Sequence, residues 1–346
     1  MSAGGFLPWH LDLARSWLQT RDRFAHAWLI HGLRGVGQVA FAQAGAKSLL
    51  CESPRAGLAC GTCQACHWVE SGNHPDLRRI RPEALALQEG ASGEAEGVQE
   101  EGARKKQASR EIRVEQIRSL LPWFNTATHR AGWRVAVLYP AEQLNTISAN
   151  ALLKILEEPP EHTVFLVVAD APDRLLPTLV SRCRRLPLSV PTPEAAQHWL
   201  LQQGIDEPAS WLAASGGAPL HALELARAGG EACPSWLDEF LRLCTTPAYS
   251  AGLADQLASL PTTEWLDGFQ RLLVDLSLAA RNAPIRYFPS RAQIMHAMAS
   301  GLDHRQLSSA LRWLTQQRRL ASQPLNPKFL ADHGLALLLR ACRPVS

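Results

Sequence analysis

Apolar positions along the chain fall into two regimes. In the first half, short continuous apolar runs alternate with helix-period patterns. Residues 27–31, 133–139 and 164–169 are such runs, rich in Val, Leu, Ile and aromatics. Runs of this kind predict strands buried on both faces of a sheet. Between them, residues 38–50 place Val39, Phe41, Ala42, Ala46, Leu49 and Leu50 on a helix. Residues 112–121 place Ile112, Ile117, Leu120 and Leu121 at helical spacing, and residues 148–158 form a helix that Pro159-Pro160 stops. The alternation predicts an α/β domain with a parallel sheet. From Pro193 onward no strand-like run appears, and helical patterns break at Gly216-Gly217 and Gly229-Gly230. The expected organisation is an α/β domain over residues 1–189, a small helical domain over 190–232 and a helical C-terminal domain over 233–346.

One stretch fits neither regime. Residues 88–110 carry almost no large apolar side chain; they are acidic first (Glu89, Glu94, Glu96, Glu100, Glu101) and basic after (Arg104, Lys105, Lys106). Such a segment buries too little surface to offset its ordering entropy, so a mobile insertion is expected.

Composition narrows the class. Of 346 residues, 46% are hydrophobic, ample for buried cores. A net charge of +3 is too small to mark a nucleic-acid binder by itself. No apolar run approaches the roughly 18 residues of a membrane helix. Residues 1–9 lack the charged-then-apolar layout of a secretion signal. A cytoplasmic protein is expected, with its eight Cys reduced.

Four of those Cys cluster. Cys51, Cys60, Cys63 and Cys66 read C-x8-C-x2-C-x2-C. Four thiolates complete the tetrahedral shell of structural zinc, and a C-x2-C step brings two of them to one ion. The bacterial iron–sulfur run would need Cys at position 70 and Pro at 71, where Glu70 and Ser71 stand. Other readings stay open: His67 or His74 as fourth ligand in place of Cys51, a catalytic zinc with an open position, or four unliganded thiols.

The first strand runs into His31-Gly32-Leu33-Arg34-Gly35-Val36-Gly37-Gln38-Val39. That is the layout of a strand, a phosphate loop and a helix. The pattern G-x-x-x-x-G-K-[ST] asks for Lys and then Ser or Thr after its last Gly. Gln38 and Val39 occupy those places. The ammonium that would meet the β/γ-phosphates and the hydroxyl that would hold Mg²⁺ are both missing. Gly32, Gly35 and Gly37 then have a purely structural reading, as the residues that allow a tight strand-to-helix turn.

Several longer motifs accompany this loop. His74-Pro75-Asp76 follows the Cys cluster. Further on come Asn150-Ala151-Leu152-Leu153-Lys154-Ile155-Leu156-Glu157-Glu158-Pro159-Pro160 and Ser181-Arg182-Cys183. With the loop and the Cys spacing, they closely resemble the bacterial clamp-loader ATPase family of the AAA+ superfamily, most strongly across residues 24–190. The resemblance implies a P-loop NTPase-like parallel-sheet domain with a zinc module at 51–66, a small helical lid and an all-α collar. It implies partners too: the gamma/tau ATPase subunits and the delta subunit in a hetero-oligomeric ring, and through that ring the sliding clamp and primed DNA of the replicative polymerase.

Against the family's pattern the chain departs three times. The loop carries Gln38 and Val39. Tyr139 and Pro140 stand where the family has the acidic pair that holds Mg²⁺ and positions water. Ala169-Asp170 stand where a sensor Thr is usual. These losses predict a member that does not hydrolyse ATP and has no independent catalysis. Arg182, within Ser181-Arg182-Cys183, matches the family's arginine finger, presented to ATP on a neighbouring subunit. The plain alternative is a surface Arg or an intramolecular ion pair, for example with Asp173. Cys183 reads as a small buried residue, and Ser181 as a packing or hydrogen-bonding one. Two other functions compete: an active clamp-loader ATPase, and a zinc-dependent nucleic-acid-binding protein.

Weaker candidates read as structural. Glu142 lies near the lost acidic pair but two residues off, and is expected to be solvated. Lys154, Glu157 and Glu158 read as packing plus surface charge. His74-Pro75-Asp76 reads as a turn. Trp199, Trp211, Trp236, Trp265 and Trp313 are expected in helical cores.

Overall fold

A computed structural model describes residues 3–19, 24–90, 108–129, 132–246, 250–320 and 326–343. The chain divides into two compact units, Met1–Pro191 and Thr192–Ser346.

The first unit is built on one parallel five-stranded sheet in the order β2-β3-β4-β1-β5. Its strands are β1 Ala27–Gly32, β2 Leu77–Ile80, β3 Arg134–Leu138, β4 Thr163–Ala169 and β5 Arg184–Leu188. The central strands β3 and β4 are buried along their whole length, as their unbroken apolar runs require. Side chains alternate across the sheet. Leu29, Ala136, Leu138, Phe165 and Val167 face a core shared with Ile117, Leu152, Ile155, Leu156 and Leu179. These last come from α5 Val114–Arg118, α7 Thr146–Glu157 and α8 Pro177–Arg182.

α2 Gln38–Leu50 packs on β3 and β4 and carries α1 Leu11–Leu18 against it. Gly45 of α2 lets the Trp17 ring in; a Cβ there would lie 2.7 Å from it. Trp17 also meets Trp28 edge-on at 5.7 Å.

Both strands absent from the sequence reading lie at sheet edges. β2 is half polar, and β5 alternates exposed and buried positions and contains Pro187. Pro is tolerated at such an edge. Neither strand has the continuous apolar signature of a central one.

Residues 112–121 do not form the single expected helix. Ile112 is fully buried as a β-bridge partner of Leu144, its N–H donating to Gln143 at 2.8 Å. The chain then turns on a hydrogen bond from the Arg113 N–H to Gln116 Oε1 (2.9 Å) into α5 and α6 Leu120–Phe124. Between the C-terminal end of α2 and β2 lies α3 Gln64–Glu70, and α4 Glu83–Gln88 follows β2. Thus Gln88 closes a helix, and Glu89 pairs with the buried Arg81 at 2.8 Å. Residues 91–107, most of the expected mobile insertion, lie outside the described residues.

Helices α9 Pro193–Gln202, α10 Pro208–Ala214 and α11 Pro219–Arg227 open the second unit around Ala196, Leu200, Leu212 and Ala222. The rest is α12 Trp236–Thr245, α13 Ala251–Ser259, α14 Thr262–Ala279, α15 Ala292–Ala299, α16 His304–Leu320 and α17 Pro327–Cys342, packed around a larger core. Trp236 stacks on Phe269 at 4.3 Å. Trp236 and Trp265 are core residues, whereas Trp199, Trp211 and Trp313 are only partly buried. Asp275, fully buried on α14, accepts the N–H groups of Arg286, Tyr287 and Phe288 at 2.8–3.1 Å. Among the described residues no helix is long and apolar enough to cross a membrane.

The contact between β1 and β5 depends on Gly32, where a Cβ would sit 2.6 Å from the Leu188 carbonyl oxygen. Gly32→Ala is expected to cost about 1–3 kcal/mol. A lower urea midpoint with an unchanged denaturant slope checks this; an unchanged midpoint contradicts it.

Candidate functional site

In a parallel sheet of this kind, ligands bind beyond the carboxyl ends of the strands. Gly32, Tyr139 and Asp170 all lie there, at or just past the ends of β1, β3 and β4. The loop after β1 keeps its shape through its glycines. Gly35 and Gly37 adopt φ of 85° and 110°, a region open to Gly at little cost.

Gln38, the first residue of α2, folds back into that loop and is 3% exposed. Its Nε2 donates to the carbonyls of Gly32 (2.7 Å) and Leu33 (2.9 Å) and to Asp170 Oδ1 (2.9 Å). Its Oε1 accepts the Gly37 N–H at 3.0 Å. A phosphate loop works by offering backbone N–H groups and positive charge to an anion. Here the Gly37 donor is taken by the chain's own amide, and a carboxylate stands beside the loop where a triphosphate would need cations.

The position of the lost acidic pair is also filled. Tyr139 is 1% exposed, and burial pushes its phenol well above the usual range. Its hydroxyl donates to Glu89 Oε2 at 2.8 Å and receives Gln43 Nε2 at 3.4 Å. Glu89 in turn pairs with Arg81. Glu142 is not the solvated side chain expected: it is half-buried, and its Oε1 accepts the Ala171 N–H at 2.6 Å. It thereby fixes the backbone next to Asp170. Val39 is half-buried and carries no group for a metal.

The four cysteines of the cluster come together, with ligand atoms within 4.8 Å of one another. Cys51 ends α2, and Cys63 and Cys66 flank and enter α3. Cys51 Sγ and Cys63 Sγ are 3.8 Å apart. A disulfide requires about 2.05 Å. A tetrahedron with metal–sulfur bonds of about 2.3 Å has edges of about 3.8 Å, so the donor set fits a closed four-thiolate site. His74 lies outside this group of ligand atoms, and its Nδ1 accepts the Asp76 N–H at 3.1 Å. Asp76 accepts the His129 N–H at 3.0 Å, so the His-Pro-Asp segment is a turn braced by hydrogen bonds. The thiols are unequal. Hydrogen bonds from Ser53 and Thr62 bring Cys60 down to about 5, while burial pushes Cys66 up to about 12.

Arg182 is the last residue of α8, and its side chain is about one-third exposed. Nη1 donates to the Thr178 carbonyl at 3.1 Å, and Nη2 pairs with Glu157, the last residue of α7. The intramolecular ion pair weighed as the plain alternative is thus present, with Glu157 in place of Asp173. Ser181 donates to the Thr178 carbonyl at 2.9 Å. Cys183 is buried, and burial raises its thiol to about 12.

Residues 13–192 match the family model described as DNA polymerase III, delta subunit. The chain belongs to this family. It is 39% identical over 222 residues to the DNA polymerase III subunit delta' of Pseudomonas aeruginosa, an alignment covering 63% of this chain and 60% of that one. It is 33% identical over 203 residues to subunit delta' of Escherichia coli K12, covering 58% and 54%. Subunit tau of the same organism is 33% identical over 178 residues, covering 51% of this chain and 24% of tau. The chain therefore spans well under two thirds of the length of these relatives.

For this member of the DNA polymerase III delta-subunit family, sequence reasoning located the loop, the thiols and the arginine. It missed what they touch. Asp170 registered as a missing Thr rather than as a loop partner of Gln38. Glu89 was assigned to an insertion, and Glu157 to surface charge. Local patterns carry no signal for contacts between residues as distant in sequence as 38 and 170.

Gln38→Ala leaves the Gly37 N–H in a buried turn without its acceptor. Such a group costs about 1–3 kcal/mol. Chemical denaturation is expected to show a loss of that size, and faster amide exchange at Gly37; a variant as stable as the parent contradicts the lock.

Proposed function

We propose that this chain works as the delta' subunit of a bacterial DNA polymerase III clamp loader. In this reading it is a member of a hetero-oligomeric AAA+ ring that does not itself hydrolyse ATP. Its neighbours are the gamma/tau ATPase subunits and the delta subunit, and the ring opens the sliding clamp and places it on primed DNA. The observation that carries the reading is the Gln38 lock. Phosphoryl transfer depends on neutralising phosphate charge and orienting water. A loop closed on its own amide beside Asp170, with Tyr139 and Pro140 at the metal position, supplies neither.

Arg182 is the group that still has chemistry to offer. A guanidinium is planar and always charged, which suits the charge spread over a transferring phosphoryl group. Held at the exposed end of α8, it would stabilise that charge on ATP bound to the neighbouring subunit. Cys51, Cys60, Cys63 and Cys66 would hold a zinc ion. Zinc in a closed thiolate shell staples a segment that has little core of its own, and performs no chemistry.

In a complex reconstituted with its ATPase partners, Arg182→Ala is expected to leave assembly intact. The DNA- and clamp-stimulated ATP hydrolysis should fall at least about tenfold, a conservative bound beneath the roughly 10³–10⁵ of arginine-finger effects. Unchanged hydrolysis contradicts the finger role. Separately, elemental analysis of the purified chain should find one zinc per molecule. Cys63→Ser should lose it and lower the melting temperature. A full-length chain that stays metal-free and equally stable refutes the zinc assignment.

A further inference from the structure

Two motifs that sequence reading treats separately meet at one ion pair. Glu157 belongs to the Leu-Glu-Glu-Pro-Pro end of α7, and Arg182 to the Ser-Arg-Cys end of α8. We infer that Glu157 is a positioning residue for Arg182, setting the direction in which the guanidinium faces a neighbouring subunit's nucleotide. This rests on the finger role proposed above.

Geometry supports it first. The Arg182 side chain is fastened at both terminal nitrogens, Nη1 on the Thr178 carbonyl and Nη2 on Glu157. Thr178 lies one turn back on the same helix, so that bond alone lets the side chain swing with its own helix. Glu157 comes from a different helix, and α7 and α8 pack against each other in the core. The pair therefore refers the guanidinium to the body of the α/β unit. Even so, Arg182 keeps 34% of its side chain exposed, leaving donor edges free for an anion. A long arginine side chain loses much rotamer freedom on engaging a ligand, and pre-orientation removes part of that cost.

Electrostatics supports it independently. Glu157 is the last residue of α7, and Glu158 caps it. Carboxylates at a helix C-terminus meet the negative end of the helix dipole and are disfavoured there. Glu157 thus works against its own helix while serving Arg182, which sits favourably at the C-terminus of α8. A residue retained only for α7 would carry the opposite charge.

The test exploits that opposition in the reconstituted complex. Glu157→Lys suits the α7 C-terminus, which offsets the lost ion pair, so the melting temperature should stay close to the parent's. The substitution should nonetheless lower kcat for stimulated ATP hydrolysis about tenfold, with KM for ATP unchanged. Glu157→Ala should lower kcat about 2- to 5-fold, the range of an exposed ion pair, and Glu157→Gln should recover part of it. In an Arg182→Ala background, none of the three substitutions should change anything further, the mark of residues acting as a unit. If Arg182→Ala lowers kcat but the Glu157 variants do not, positioning is refuted and the finger stands. If the Glu157 losses persist in the Arg182→Ala background, Glu157 acts elsewhere and the inference fails. If Arg182→Ala itself has no effect, the finger reading falls and takes this one with it.

Discussion

The side-chain amide of Gln38 is the contact on which the first unit's business end depends. It sits at the start of α2, turned back into the loop after β1, and bridges that loop to Asp170 at the end of β4. An amide is suited to this because it donates and accepts from one planar group. It accepts the Gly37 N–H and shares its two N–H hydrogens among the two loop carbonyls and Asp170. A lysine there could donate but not accept, and would leave the Gly37 N–H to a phosphate. Gln38 instead takes that donor with its own amide oxygen.

The other departures make sense around that lock. Asp170 beside a loop meant for triphosphate would be repulsive, but beside an amide N–H it is a good acceptor. Glu142 holds the adjoining backbone through Ala171. Tyr139, buried against Arg81, Glu89 and Gln43, fills the position just past β3 with a hydrogen-bonded network. Each replacement has a partner in the same chain. In the proposed role, the chemistry left to this unit is that of Arg182.

Much of this was legible in the sequence, and the reasons for the gaps are physical. The central strands announced themselves because burial on both faces demands unbroken apolar runs. The edge strands β2 and β5 did not, because strands at the sheet edge are not buried along their whole length and admit Arg78, Arg79, Arg184 and Arg185. The thiol cluster was readable because its four Cys lie in one short segment, residues 51–66. The break in residues 112–121 was not, because the bridge that takes Ile112 out of the helix is made with Leu144, far along the chain. The identity of each site residue was local information. The closure of the loop and the seat of Arg182 are tertiary facts.

The central claim is that the loop is occupied by its own side chain and has no use for ATP. Titrating the full chain with ATP and Mg²⁺ in a calorimeter tests it directly. The account predicts no Mg²⁺-dependent heat of binding at millimolar ATP and no phosphate release. Tight, Mg²⁺-dependent binding accompanied by turnover would contradict it.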